Sequence, residues 1–270
     1  MCWATSGVEP VGDCRDWDEN LSDGERDLLA YLLVSVAASK AVDFENLASH
    51  FASCVRMEEA RCFYGLQLAS AGAHMETFSR FARAFIKGAA SRAFYFNAIA
   101  NVPFVRRKAQ WVMRWVDAQD PPFRVRLVAF LAAKAIFYSG TFFCLSWFDE
   151  RGILPALCHA SELVARDESV GIDFACRLLR LLGVRPCHHV VRRIVLDAVN
   201  IEKEFLKELV GASGFAFDAD RMGLYVEYVA DRLLEAMGYQ AEFSTPNPWT
   251  FGSLRPLRGS AGFFERVDMM

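Results

Sequence analysis

Two lysines offer the first chemistry to weigh in this chain. Lys40 follows Ala37-Ala38-Ser39, and Lys134 stands inside the apolar run 127–147, LVAFLAAKAIFYSGTFFCLSW. A buried ammonium must pair or lose its proton, because an isolated charge is costly to take out of water. Other groupings promise less. Eight cysteines stand at positions 2, 14, 54, 62, 144, 158, 176 and 187, with no CxxC pair, and Cys144 and Cys176 fall inside apolar helical segments. That pattern suits reduced, buried thiols in a cytoplasmic protein, not a disulfide framework or a zinc site. The adjacent His188-His189 follow Pro186-Cys187 at a helix start and read as surface. Glu202 and Glu204, in AVNIEKEFL, imply no catalytic role. No Ser-His-Asp set, phosphate loop or zinc spacing occurs elsewhere.

The elements that must position these residues are helices. Apolar residues make up 53% of the 270, with 23 Phe, which is ample for a large core. The formal net charge of −3 is too small to suggest nucleic-acid binding or a polybasic membrane contact. Arg106-Arg107-Lys108 and Arg192-Arg193 sit among apolar residues at helical spacing and read as solvated helix faces. The run 127–147 is long enough to cross a bilayer, but Lys134 near its middle argues for the central helix of a bundle. Helical periodicity dominates throughout, and β-branched alternation never runs far. The spacing predicts a helix capped by Ser22, with Asp23 and Glu25 in its first turn. Further helices are expected over about 51–86, 102–116, 122–148, 161–182, 188–209 and 220–237. Breaks fall at Pro103, Pro121-Pro122, Gly152 with Pro155, Pro186 and the stretch 211–216. A single domain over 1–270 is expected, with an N-terminal arm over 1–20 and a C-terminal coil over 246–270. The start MCWATSGVEP has neither the basic nor the apolar region of a secretory signal.

Several blocks together resemble the small subunit of ribonucleotide reductase, of the kind found in eukaryotes and large DNA viruses. They are EEARCFYGLQLA (58–69), FNAIANVP (96–103), RLVAFLAAKAIFYSGTFF (126–143), RDESVGIDFAC (166–176), AVNIEKEFL (198–206), YVEYVADRLL (225–234), NPWTF (247–251) and a final GFFER. The resemblance implies an all-α, ferritin-like helical bundle in which inward carboxylates and histidines bind two iron or manganese ions. It also implies where those ligands should stand. The Asp expected after Ala-Ala-Ser is Lys40, and the Glu of Glu-x-x-His is Ala71, with His74 kept. The Glu of the third ligand helix is Lys134. The block Arg-Asp-Glu-x-x-His keeps Glu168 but ends in Gly171. The radical tyrosine, one turn after the ligand His, is Phe78, whose ring has no hydroxyl hydrogen to give up.

The resemblance thus implies a family member that has lost its metal chemistry. Hard divalent cations need anionic oxygen ligands. With four carboxylates replaced by one carboxylate and two ammonium groups, the formal charge of the set moves from about −4 to about +1. No metal cofactor is therefore expected. Glu168 is the natural partner of Lys134, Lys40 or both, so that an internal ion pair stands where metal would be. Metal-free redox chemistry of the lysine-substituted kind would need the tyrosine that Phe78 removes. Trp3 falls near the place of the family's relay tryptophan, and Asp167 matches the Asp bonded to that relay; both are more simply read as structural. A counterpart of the family's C-terminal tail, which carries a relay tyrosine to the large subunit, is not expected past GFFER. The expected role is a non-catalytic small subunit supporting deoxyribonucleotide synthesis, paired with itself, with an active small subunit or with the large subunit. A repurposed binding protein on the same fold is the alternative, and a metal-free active subunit the last. Neither nucleic acid nor membrane is an expected partner.

Overall fold

The computed structural model describes residues 5–48, 54–116, 121–215, 218–248 and Phe263. Among the described residues ten α-helices follow two short 3-10 turns, Thr5–Gly7 and Pro10–Asp13. They are α1 (Cys14–Glu19), α2 (Asp23–Asn46), α3 (Glu58–Phe85), α4 (Ala89–Phe96), α5 (Ala98–Asn101), α6 (Pro103–Val116), α7 (Phe123–Glu150), α8 (Pro155–Leu181), α9 (His188–Ser213) and α10 (Ala219–Met237). No strand occurs among the described residues, and the protein is an all-α, ferritin-like bundle.

The helix ends follow from local chemistry. Ser22 and Glu25 form a capping box at the start of α2: Ser22 donates its N–H and hydroxyl to Glu25 Oε2 at 2.7 and 2.8 Å, and Glu25 N–H returns to Ser22 Oγ at 3.3 Å. Pro103 opens α6, where a missing N–H costs nothing. Asp218 caps α10 by accepting from Arg221 N–H at 2.9 Å. Gly238 closes that helix at φ 85°, the left-handed geometry that glycine adopts without strain.

Three helices were not foreseen from the sequence: α1, α4 and α5. The helix expected from about residue 51 begins at Glu58. The one expected from Ser161 begins at Pro155, because that proline starts the helix where it was read as a break. The stretch 211–216 does not end α9 at Leu209, which continues to Ser213. Of the N-terminal arm, residues 1–4 lie outside the described residues. So does most of the expected C-terminal coil; residues 246–248 are non-helical, and Phe263 is helical and buried.

The chain divides into two compact units. The first takes the described parts of 1–116, 147–160 and 208–216; the second takes those of 117–146, 161–207 and 217–270. In the first, α2 packs against α3, α4, α5 and α6. Trp17 stacks on Phe85 with ring centroids 4.6 Å apart, and Tyr31 meets Tyr95 and Phe104 edge-on. Asp13 is fully buried and accepts from the N–H groups of Ala156 and Leu157 at 3.0 and 2.7 Å, tying down the first turn of α8. Arg151 pairs with Glu25 and lies 4.4 Å above the Trp147 ring.

In the second unit α7 approaches α9 closely at Gly140. A side chain there would meet Leu206 at 2.6 Å and the Glu202 carboxylate at 2.9 Å. Phe143 of α7 contacts Tyr225 of α10, and Lys203 of α9 bonds Glu227 of α10 at 2.7 Å. Asp231, also buried, accepts from the backbone N–H groups of Glu242, Phe243 and Ser244 at 2.7, 3.0 and 2.7 Å. Helix α7 is apolar and long enough to cross a membrane, but its most apolar window is wholly buried within the fold.

Candidate functional site

The second unit brings two of the singled-out residues together. Lys134 lies mid-way along α7 and Glu168 mid-way along α8, and Nζ of the one is 2.6 Å from Oε2 of the other. Each side chain is only 4% exposed. The ammonium also sits 5.1 Å from the centre of the Phe130 ring, one helical turn earlier on α7. Stripping water from two charges is expensive, and the cost is recovered only when the pair is close and further supported. The short contact and the aromatic face supply both. Gly171, one turn beyond Glu168, is buried and brings no side chain.

The first unit carries the other ligand positions and the radical position. Ala71, His74 and Phe78 follow one another on α3 at intervals of three and four, so they share a face. All three are buried, Phe78 completely. Lys40, on α2, is also completely buried, and α2 and α3 pack together. Neither Lys40 nor His74 lacks an interaction partner. Asp167 is half-buried beside Glu168 in sequence, and Trp3 lies outside the described residues. His188 and His189 are exposed, and the His188 ring lies 6.2 Å from that of Tyr239.

Three acidic groups important to the interior were not singled out by sequence reasoning. Glu202, for which the sequence implies no catalytic role, is fully buried on α9. Burial, and then the Glu202 carboxylate, push the thiol of Cys144 far above its ordinary value. The signal was available: Val195, Ala198, Val199, Leu206 and Leu209 flank Glu202 at helical spacing and are all buried. Asp13 and Asp231 gave no such signal, since each serves backbone amides from a distant or non-helical segment. Burial holds the Asp13 carboxyl above its ordinary value, against the lowering effect of the two amides it binds.

Chemically, the second unit offers a close cation–anion pair, and the first a buried imidazole and a phenyl ring. Among the described residues no group of three or more His, Cys, Asp or Glu side chains gathers as a metal centre would need. Ala71 and Gly171 carry no donor atom, Lys40 and Lys134 carry cationic nitrogen, and one oxygen of Glu168 is already engaged. These residues do not fit a dinuclear metal centre.

Comparison with known proteins agrees with the family resemblance. The family described as ribonucleotide reductase, small chain, matches residues 1–248. The sequence is 40% identical over 264 residues to one of the ribonucleoside-diphosphate reductase small chains of Arabidopsis thaliana, covering 98% of this protein and 79% of that one. It is 39% identical to the small chain of Neurospora crassa, again over 98% of its own length, but spans only 64% of that protein. Among solved structures, the Rnr4 homodimer of Saccharomyces cerevisiae superposes with a TM-score of 0.84 at 28% identity, covering 93% of this protein and 79% of that one. The dimanganese(II) NrdF of Streptococcus sanguinis superposes with a TM-score of 0.81 at 15% identity, over 90% of this protein and 86% of that one, a likeness of fold.

Proposed function

The chain belongs to the ribonucleotide reductase small-chain family, and from that premise we propose that it is a non-catalytic member which serves the reductase by pairing rather than by making a radical. One observation carries the reading above the others. The Lys134 ammonium, at a position where the family resemblance calls for a carboxylate, is closed onto Glu168 at 2.6 Å in a buried setting. A cation that takes Glu168 as a ligand must share the carboxylate with the Lys134 ammonium or displace it, and in either case carries an ammonium beside itself. Phe78 completes the loss, because a phenyl ring at the radical position has no hydroxyl to oxidise. No metal cofactor is part of this reading.

The partner in this reading is a small subunit of the same fold, either a second copy or a ligand-complete relative. The yeast Rnr4 structure, described as a homodimer, makes such a partner the first to test. An isologous dimer of near-identical bundles is also geometrically simple. The large subunit is the second candidate. The described cysteines are thiols rather than disulfides, which suits work in the reducing cytoplasm. Co-purification from cells that express this protein with an intact small subunit and a large subunit tests the proposal. A defined complex with a small subunit is expected. A protein that purifies alone, without self-association, would contradict it and favour a repurposed binding protein.

A further inference from the structure

The turn between α8 and α9 concentrates charge that the whole-sequence balance conceals. Residues 174–196 hold five arginines and two histidines and no Asp or Glu, in a protein whose formal net charge is −3. All five arginines are exposed. At the apex, Leu181, Leu182 and Val184 are 72%, 41% and 62% exposed, around Gly183 at φ 74°. The surrounding polar contacts neutralise little of this. Arg192 pairs with Glu242, with Nε at 2.8 Å from Oε2. Arg180 and Arg185 donate to the backbone carbonyls of Cys176 and Gly238, at 3.3 and 3.4 Å.

Helix stability does not explain the pattern. Arginines near the end of α8 complement the helix dipole, but the same argument asks for acids at the start of α9. There the first turn has no acidic residue, and His188, His189, Arg192 and Arg193 crowd the end where the backbone N–H groups are already partly positive. Two features therefore coincide on one turn: an electropositive collar and an apex of aliphatic side chains in water.

We propose that the α8–α9 turn docks on an anionic phospholipid surface, with the aliphatic apex entering the boundary between headgroups and acyl chains. The arginines then bond lipid phosphates and carboxylates, which their planar forks match. A nucleic acid would reward the arginines and leave Leu181 and Val184 in water. An extended peptide needs a groove to lie in, and this is a turn that projects between two helix ends. The proposal revises the sequence expectation of no membrane contact: a net charge of −3 is an average, and the acidic residues responsible for it lie elsewhere in the sequence. It does not depend on the reductase reading, and its failure would leave that reading untouched.

The test is sedimentation of the full-length protein with vesicles of phosphatidylcholine alone and of phosphatidylcholine with phosphatidylserine, at low and high salt. Binding is expected to the phosphatidylserine vesicles only, and to weaken as salt rises. Arg177→Gln and Arg193→Gln should each weaken it roughly fivefold, the factor that corresponds to one basic residue near an anionic surface. The double variant Leu181→Ser, Val184→Ser should weaken it at least as much while its helical circular dichroism stays unchanged. Absence of binding, equal binding to uncharged vesicles, or full binding by the Leu181→Ser, Val184→Ser variant would overturn the proposal. So would equal affinity for double-stranded DNA that those serines leave unaltered.

Discussion

Two buried glutamates, Glu168 and Glu25, show how differently one residue type can be held. Glu168 lies mid-helix on α8 and meets Lys134 from α7, with an aromatic ring beyond the ammonium. Glu25 lies in the first turn of α2, where it accepts from Ser22 and from Arg151. The second is architecture that its own helix end would call for in any sequence. The first has no such local reason, because nothing about the middle of an apolar helix asks for a lysine. The explanation we propose lies in what the family resemblance implies there: a carboxylate site whose charge has been reversed and then closed on itself.

The comparison is broken most severely by removing one half of the mid-helix pair. Lys134→Met removes the ammonium that the buried Glu168 carboxylate meets on α7, and a loss of about 3–5 kcal/mol of stability is expected by chemical denaturation. Removing both, as Lys134→Met with Glu168→Leu, should recover most of that loss, since an apolar pair of similar volume in such a place is often neutral or better. If the single and double variants are equally destabilised, the pair is not the unit that holds α7 to α8.

A smaller effect is expected where a carboxylate serves backbone amides. Asp231→Ala should cost about 3 kcal/mol by leaving the N–H groups of residues 242–244 without their acceptor. The loss should appear as faster amide exchange over 242–244 before α10 itself opens. Glu25→Gln should cost about 1–2 kcal/mol, because the amide oxygen can still accept from Ser22 while the charge and the bond from Arg151 are lost.

Glu25 and Asp13 also predict opposite responses to pH. The hydrogen bonds from Ser22 and Arg151 hold the Glu25 carboxyl below its ordinary value, against the opposing effect of burial. Its contribution is therefore present above the ordinary carboxylate range and is lost as pH falls through the lowered value. Glu25→Gln should flatten the acid side of the stability profile. The Asp13 carboxyl is raised, chiefly by burial. Its contribution is greatest when protonated, and is lost as pH rises through the raised value. Asp13→Asn should steepen the acid-side fall that Glu25 produces. The smallest effect is expected on the surface, where Lys207→Ala breaks an exposed pair with Asp220 and should change stability by less than about 1 kcal/mol.

Much of the bundle was legible because its long helices announce themselves twice, by apolar period and by end signals such as Ser22 with Glu25. The short helices α4 and α5 were not. No residue of α4 is buried and its eight residues are too few to sustain a helical period, and Ala98–Asn101 is a single turn. At the candidate site, the substituted positions were legible only through the resemblance, since Ala71 and Gly171 are ordinary residues for an apolar helix. The lysines were legible on their own as charges out of place. Asp13 and Asp231 were hidden because the amides they hold lie far along the sequence or in coil, where no periodicity points.

The central claim is that this small-subunit bundle holds an ion pair where metal chemistry would otherwise stand. Metal analysis after reconstitution with iron or manganese, read together with an electron paramagnetic resonance spectrum, tests it most directly. Far less than one metal ion per protein molecule and no radical signal are the result predicted. Stoichiometric metal, or a radical signal from the protein alone, would contradict the account.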